Sequence, residues 1–296
     1  MAAPKTWLAI PAVAVACAGM AAGIGLRAGT PDPEIIAATG LLAAALAAAV
    51  RAFAGPSLAA AVAGVAAALL GALTVLELRD LVLARAALAA AAAMFTICEL
   101  VRPMPPEESP LPSIGAAILA AALDPSFVAL VPITGWRYVR GPWSRPRGAL
   151  ALPILGLLAC VTAAVSAIVP STMLHELWTA WTQRDAAVHS PLAVIVQLGD
   201  VLGPITAVAA LGGLGVCATR GRLAVVSVAS ITVGALASDL ALGSVGAGLP
   251  AIAALGAGVA IARLTAMIRW PAGQAFVGAT AGFMMVFAPA LAHVLR

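Results

Sequence analysis

Residues 35–54 read IIAATGLLAAALAAAVRAFA, a stretch whose single charged residue is Arg51, close to its end. An α-helix of about 20 residues, rising about 1.5 Å per residue, crosses the roughly 30 Å hydrocarbon core of a bilayer. Blocks of this kind recur along the whole chain, which has 296 residues and is 63% hydrophobic but only 9% charged. A soluble domain carries about 25% charged residues, because its surface faces water. The sequence therefore predicts an all-α fold, a polytopic transmembrane helical bundle.

Apolar blocks between charged or Pro/Gly-rich breaks predict about ten spanning helices. They cover residues 7–26, 35–54, 57–77, 81–101, 112–135, 150–169, 191–217, 223–242, 247–266 and 272–294. The longest polar stretch is too short for a soluble domain, so 1–296 is predicted to be a single integral membrane domain. The stretch 35–101 has the fewest sequence breaks to support its division into three helices. The first block resembles a signal peptide, but its apolar run continues past Cys17 to Leu26, which favours an uncleaved span.

The distribution of arginine predicts an orientation. The loop 136–148 contains four arginines and no acidic residue, and the positive-inside rule places it in the cytoplasm. These arginines, which are also candidates for contact with anionic lipid headgroups, are Arg137, Arg140, Arg145 and Arg147. The acidic residues Glu107 and Glu108 precede the fifth predicted helix and are expected outside. Counting spans back from these loops puts the N-terminus outside, which conflicts with Lys5.

Composition also predicts partners and location. The net charge of +4 resides in short loops, so it indicates contact with the lipid bilayer and excludes nucleic acid as an expected partner. Abundant arginine and alanine beside a single lysine are typical of a GC-rich bacterial genome, so we expect the bacterial cytoplasmic (inner) membrane. The segment 171–190 has Leu174, Leu177 and Trp178 on one helical face. It is predicted to be an amphipathic helix on the outer surface.

Two carboxylates are predicted to lie near the middle of the membrane. Asp124 is about twelve residues into the fifth predicted helix, and Asp200 about nine residues into the seventh. A carboxylate there costs about 2.5–3.5 kcal/mol on insertion scales. No arginine or lysine occurs at matching depth. Each acid is therefore expected to be protonated, or to face water or a bound cation.

The sequence next to each acid predicts a broken helix. Pro125 follows Asp124 directly, and Pro204 follows Asp200 by four residues, while Gln197 lies one turn before Asp200. Proline removes a backbone donor and clashes with the preceding turn. Freed carbonyls beside a carboxylate suit a proton or cation, and paired interrupted helices are typical of transporter binding sites. These five residues are the candidates for a coupling-ion or substrate site. The alternative is a protonated acid that serves packing alone.

Other chemistry is weakly indicated. The four cysteines, none in a C-x-x-C motif, are interpreted as packing residues, and the G-x-x-x-G pairs beginning at Gly19, Gly199 and Gly278 as sites of close helix packing. His175 and Glu176 lack the second histidine of H-E-x-x-H. We therefore expect no metal and no cofactor.

Three hypotheses for function remain. The first is a proton- or cation-coupled transporter of a small molecule that uses Asp124 and Asp200. The second is a non-catalytic subunit or scaffold with other membrane proteins as partners, which the extensive alanine faces favour. The third is a membrane-embedded enzyme that acts on a lipid-linked substrate near 171–190, although no residue pattern specifies catalysis.

Overall fold

The computed structural model describes residues 9–27, 33–77, 83–101, 111–124, 127–140, 196, 203–219, 222–242 and 248–295. None of these residues lies in a β-strand, so the predicted all-α fold class is confirmed for this part of the chain. The described helices are α1 (Ala9–Arg27), α2 (Pro33–Ala54), α3 (Leu58–Glu77), α4 (Leu83–Val101), α5 (Leu111–Leu123), α6 (Leu130–Arg140), α7 (Pro204–Ala218), α8 (Arg222–Leu242), α9 (Gly248–Ala266) and α10 (Pro271–Leu295).

Most of the predicted helices occur close to their predicted bounds. The division of 35–101 into three helices is confirmed by α2, α3 and α4, and the three C-terminal predictions correspond to α8, α9 and α10. The described part of the predicted helix 191–217 is α7, which starts at Pro204. The predicted helix 150–169 and the predicted surface helix 171–190 lie outside the described residues.

The prediction of one helix over 112–135 is wrong. α5 ends at Leu123, and a separate helix, α6, begins at Leu130. α6 then continues to Arg140, so Arg137 and Arg140 lie in a helix rather than in the predicted loop 136–148. The break beside Asp124 was expected from Pro125, and a second helix that contacts the first follows it after a turn.

Two of the described helices, α2 and α9, are long and apolar enough to cross a membrane. Shorter apolar segments of 10–17 residues occur in α1, α3, α4, α5, α7 and α8. Most of α9 is buried inside the bundle, which is also typical of the core helix of a soluble protein. The contacts between the helices show a helical bundle, and the lengths of α2 and α9 fit a membrane span as well as a buried core helix.

Local sequence explains where several helices begin. α2, α7 and α10 start at Pro33, Pro204 and Pro271, a position where the missing N–H of proline would have no helical partner. α3 follows a turn in which Gly55 adopts a φ of 91°, a conformation that glycine reaches without a Cβ clash. The Ser57 hydroxyl accepts a hydrogen bond from the Ala60 N–H at 3.1 Å and caps α3.

α9 forms the centre of the bundle. Every residue from Gly248 to Val259 is buried, and α9 packs against α2, α3, α4, α7, α8 and α10. Its small side chains permit close approach, since Gly258 lies against Ala67 and Val50. The core around it contains Leu42, Leu46 and Ile97, which are also fully buried.

The first four helices alternate in direction. Val13 and Cys17 of α1 cluster with Ala43 and Ala47 of α2, and the short turn at Gly55 reverses the chain into α3. Five residues join α3 to α4. They reach at most about 17 Å, less than the roughly 28 Å length of α4, so α4 starts where α3 ends.

The C-terminal helices alternate in the same way. Gly278 and Gly282 of α10 contact Val62 and Ala66 of α3, respectively, so α10 runs parallel to α3. Gly258 of α9 lies near Ala67, whereas Gly71 lies near Ala254, so α9 runs antiparallel to α3 and parallel to α2. The short connections on either side of α8 place α7 parallel to α9.

Charge is distributed unequally between the two ends of the bundle. We call the end at which α2, α4 and α9 finish the basic end. The described charged residues at this end are Arg51, Glu99, Arg137, Arg140, Arg222, Arg263 and Arg269. Those at the opposite end are Arg27, Glu34, Glu77, Arg85 and Asp239. Arginine therefore dominates one end, and acids outnumber arginines at the other.

Candidate functional site at the α5–α6 turn

α5 and α6 form a helical hairpin. The two helices have 13 and 11 residues, which correspond to about 20 Å and 17 Å. They pack against each other. In one continuous helix, residues seven or more positions apart are separated by at least about 10 Å along the axis. The chain therefore turns between residues 123 and 130, and α5 and α6 are separate elements that contact each other.

Hydrogen bonds of the main chain define the turn. The Asp124 N–H donates to the Ala120 carbonyl at 2.9 Å, and the Asp124 carbonyl accepts from the Phe127 N–H at 3.1 Å. The Val131 N–H then donates to the Val128 carbonyl at 3.2 Å. These bonds satisfy main-chain groups that a broken helix would leave without partners. The turn is thus an ordered element that presents Asp124 at its start.

Apolar packing holds the turn inside the bundle. Phe127 and Leu130 are fully buried, and both belong to the main core cluster together with Ala120. Val128, between them, is 59% exposed, so the turn has one inner and one outer face. Asp124 is half-buried at the edge of this packing. The site therefore combines the half-buried Asp124 with two apolar side chains, Phe127 and Leu130, that are buried in the core.

Thr134 supplies a hydroxyl one turn into α6. It is buried, and its hydroxyl donates within its own helix, to the carbonyls of Leu130 and Val131, both at 2.9 Å. A threonine that bonds in this way satisfies its own polar group and tends to bend the helix. Thr134 thus contributes to the shape of α6.

Arg137 fixes the other end of α6. Its Nη1 donates a hydrogen bond to the main-chain carbonyl of Glu99, near the end of α4. Burial lowers the pKa of the half-buried Arg137 guanidinium from its ordinary value, while the negative charge of Glu99 acts in the opposite direction. Arginine remains protonated at physiological pH in either case. This contact places the end of α6 at the basic end of the bundle.

The depth of Asp124 follows from this geometry. α6 ends at the basic end, and α5 packs against both α6 and α4; we infer that α5 starts at the basic end too. Asp124 is then about 20 Å from that end, compared with about 28 Å for the whole length of α4 or α9. The carboxylate lies deep in the bundle, nearer the end where acidic residues predominate.

The other predicted site residues are only partly described. Gln197, Asp200 and Pro125 lie outside the described residues, as do Arg145 and Arg147. Pro204 begins α7 directly after Gly203, whose φ of 73° breaks the helical path. The predicted interruption before α7 is therefore present, but the pairing of Asp124 with Asp200 stays a prediction.

Sequence reasoning did not identify the contact between Arg137 and Glu99 or the anchoring role of Phe127. A signal for the hairpin was present: Pro125, Pro132 and Gly135 all fall within the single predicted helix, and three such residues within eleven positions disfavour one continuous helix. Within the part of the chain that the structure describes, no group of three or more His, Cys, Asp or Glu side chains could hold a metal ion.

Comparison with known proteins provides no relative. No family model, no curated protein and no solved structure matches the chain.

Proposed function

We propose that this chain is a multi-pass protein of the bacterial inner membrane that couples the movement of a small molecule to the binding of a proton or a cation at Asp124. The observation that carries the proposal is the position of Asp124 at the turn between α5 and α6, two short helices that contact each other. Arg137 holds the end of α6 at the basic end, and we infer that α5 starts at the same end. A second acid, Asp200, and Gln197 remain proposed members of the same site.

Exposed apolar side chains support the membrane setting. Large apolar side chains are exposed on helices throughout the described chain. Examples are Val15, which is 74% exposed, Val208 at 71% and Phe276 at 72%. Many exposed large apolar side chains on several helices are unfavourable in water and are normal against lipid. Trp136 and Trp270, both exposed at the basic end, suit the interface between lipid and water.

In this setting the hairpin is a re-entrant element. Over the residues that the structure describes, neither α5 nor α6 is long enough to cross a core of about 30 Å. Irregular backbone at membrane depth is tolerated where protein or a water-filled cavity surrounds it. The burial of Phe127 and Leu130 supplies that protein environment. An acidic side chain at such a break is the arrangement that transporters use to bind coupling ions.

The re-entrant hairpin also removes a conflict in the charge distribution. A hairpin crosses no membrane, so all six described arginines of the basic end lie on one side, which the positive-inside rule assigns to the cytoplasm. α1 starts at this end as well, because it packs against α2 and the five residues between the two helices are too few to span the length of either helix. The N-terminus is then cytoplasmic, in agreement with Lys5. On this proposal the segment 102–110 lies on the cytoplasmic side, whereas the sequence alone predicts that Glu107 and Glu108 lie outside.

Charge movement in a supported membrane tests the proposal. Proteoliposomes on a solid-supported membrane are exposed to a panel of metabolites and drugs, and the transient current after each addition is recorded. We expect a current for at least one compound with the native chain, and its loss with Asp124→Asn, which keeps the shape but not the charge. Glu34→Gln, at an exposed acid in the first turn of α2, is the matched control and should retain the current.

Two outcomes would overturn coupled transport. The first is that every compound active with the native chain gives the same current with Asp124→Asn. The second is that the native chain gives no current with any compound and is recovered from native membranes only in a larger complex. That second result would favour a scaffold.

A further inference from the structure

Arg137 caps the C-terminal end of α4. α4 ends at Val101, so the Glu99 carbonyl is among the last four carbonyls of the helix, which have no partner within it. The Arg137 guanidinium donates to this carbonyl across 38 residues of sequence. A cation at this position is also stabilised by the helix dipole, whose negative end lies there.

α6 needs such a contact to keep its position. A helix of 11 residues is not stable in isolation, and its position depends on what it packs against. Leu130 and Ile133 anchor its first half in the core, whereas Trp136 in its second half is exposed. The bond from Arg137 to α4 therefore holds the half of α6 that apolar packing secures least.

The position of α6 affects Asp124, because the turn connects the two. Arg137 is seven residues beyond Leu130, about 10 Å along the axis of α6. The turn between Asp124 and Leu130 is closed by the main-chain bonds to Phe127 and Val131. A shift of α6 along its axis would therefore move the turn and change the exposure of the Asp124 carboxylate.

We propose that Arg137 is the positioning residue for Asp124: by capping α4 it fixes the depth of the α5–α6 hairpin and thereby the accessibility of the carboxylate. This inference rests on the proposed function only for the meaning of Asp124 as the ion-binding group. The mechanical link between Arg137 and the turn is independent of that role.

Hydrogen exchange of the full chain in lipid nanodiscs tests the link. The variants are Arg137→Gln, Arg137→Lys, Glu99→Gln and the control Arg263→Gln, at an exposed arginine of the same end. Arg137→Gln should accelerate exchange of the amides at 127–131 by about tenfold, as loss of a hydrogen bond from a charged group implies, and leave α9 unchanged. Arg137→Lys should recover most of the protection. Arg263→Gln should behave like the native chain.

The Glu99 variant tests whether Arg137 acts through the main-chain carbonyl of Glu99 or through its carboxylate. Glu99→Gln keeps the carbonyl that Arg137 contacts, so its effect should be clearly smaller than that of Arg137→Gln. An equal effect would overturn capping as the cause. The inference also fails if Arg137→Gln changes exchange at 127–131 by less than twofold, or accelerates α9 equally, because the effect would then be absent or general.

Reaction of Asp124 with dicyclohexylcarbodiimide provides the second readout. The labelling rate of Asp124 should change several-fold in Arg137→Gln and return towards the native value in Arg137→Lys. An unchanged rate would overturn the effect on the carboxylate. If these results hold while Asp124→Asn leaves every current intact, the positioning role stands and coupled transport falls. If Arg137→Gln leaves exchange and labelling unchanged while Asp124→Asn abolishes the current, coupled transport stands and Arg137 has no positioning role in it.

Discussion

Gly213 of α7 and Gly256 of α9 meet backbone to backbone. A Cβ added to Gly213 would overlap the carbonyl oxygen of Gly256, and a Cβ added to Gly256 would lie 2.5 Å from the carbonyl oxygen of Ala210. Both glycines are buried. The contact joins α7, which follows the interruption at Gly203, to the central helix, and it leaves no room for a side chain at either glycine.

Gly213→Ala should therefore destabilise the protein. The added methyl group meets main-chain atoms, which cannot rotate away, so the two helices must separate. We expect a loss of about 1–3 kcal/mol, the usual cost of overpacking, and a lower Tm in thermal unfolding of the detergent-solubilised chain. Gly215→Ala is the matched control on the same helix, because no atom lies within 4 Å of a Cβ there. An equal loss in both variants would contradict the close contact.

The two described G-x-x-x-G pairs should respond differently to substitution. A Cβ on Gly282 would lie 2.7 Å from the Ala66 Cβ, whereas Gly19 and Gly23 have no atom within 4 Å of a Cβ. The interpretation as close packing is thus confirmed within the chain for Gly278 and Gly282, but not for Gly19 and Gly23. Gly282→Ala should lower the Tm, and Gly19→Ala should leave it unchanged or raise it, because alanine favours the helix by about 1 kcal/mol. A larger loss in Gly19→Ala would be inconsistent with this difference.

Phe127→Ala should loosen the α5–α6 turn. Phe127 is fully buried, and removal of a buried phenylalanine side chain costs about 3–5 kcal/mol. Val128→Ala, at the exposed neighbouring position, should cost less than about 0.5 kcal/mol. Denaturant unfolding measures both values. Similar losses in the two variants would show that Phe127 does not anchor the turn.

Thiol labelling of intact cells should show which end faces the cytoplasm. Glu34→Cys, at the acidic end, is expected to react with a membrane-impermeant maleimide, and Thr219→Cys, at the basic end, only after permeabilisation. Both positions are exposed, and the parent chain with its native cysteines gives the background. The opposite pattern would reverse the orientation that the positive-inside rule assigns.

The same method separates a hairpin from a spanning helix. Ser109 precedes α5 in the sequence and Ser144 follows α6. If α5 and α6 enter and leave on the cytoplasmic side, Ser109→Cys and Ser144→Cys should both be protected in intact cells. A single helix over 112–135 would put them on opposite sides, so that one of them would react.

The helices themselves could be predicted because their signals are local. Apolar blocks such as 35–54 are bounded by Arg51 and by Gly55 with Pro56, and the helix α2 ends at Ala54 as those residues indicate. The break beside Asp124 was predictable for the same reason, since Pro125 restricts the residue before it. Composition and short-range steric effects are sufficient for features of this kind.

The direction of the chain after the break depended on tertiary structure. A proline next to Asp124 is compatible with a kink or with a reversal, and the choice between them is made by the burial of Phe127 and Leu130 and by the bond between Arg137 and Glu99. Apolar periodicity within α5 and α6 contains no information about residues of α4 that lie 38 positions earlier. Packing free energy between distant segments therefore decided that this acid lies at the turn of a hairpin, whereas local chemistry alone decided that a helix would end there.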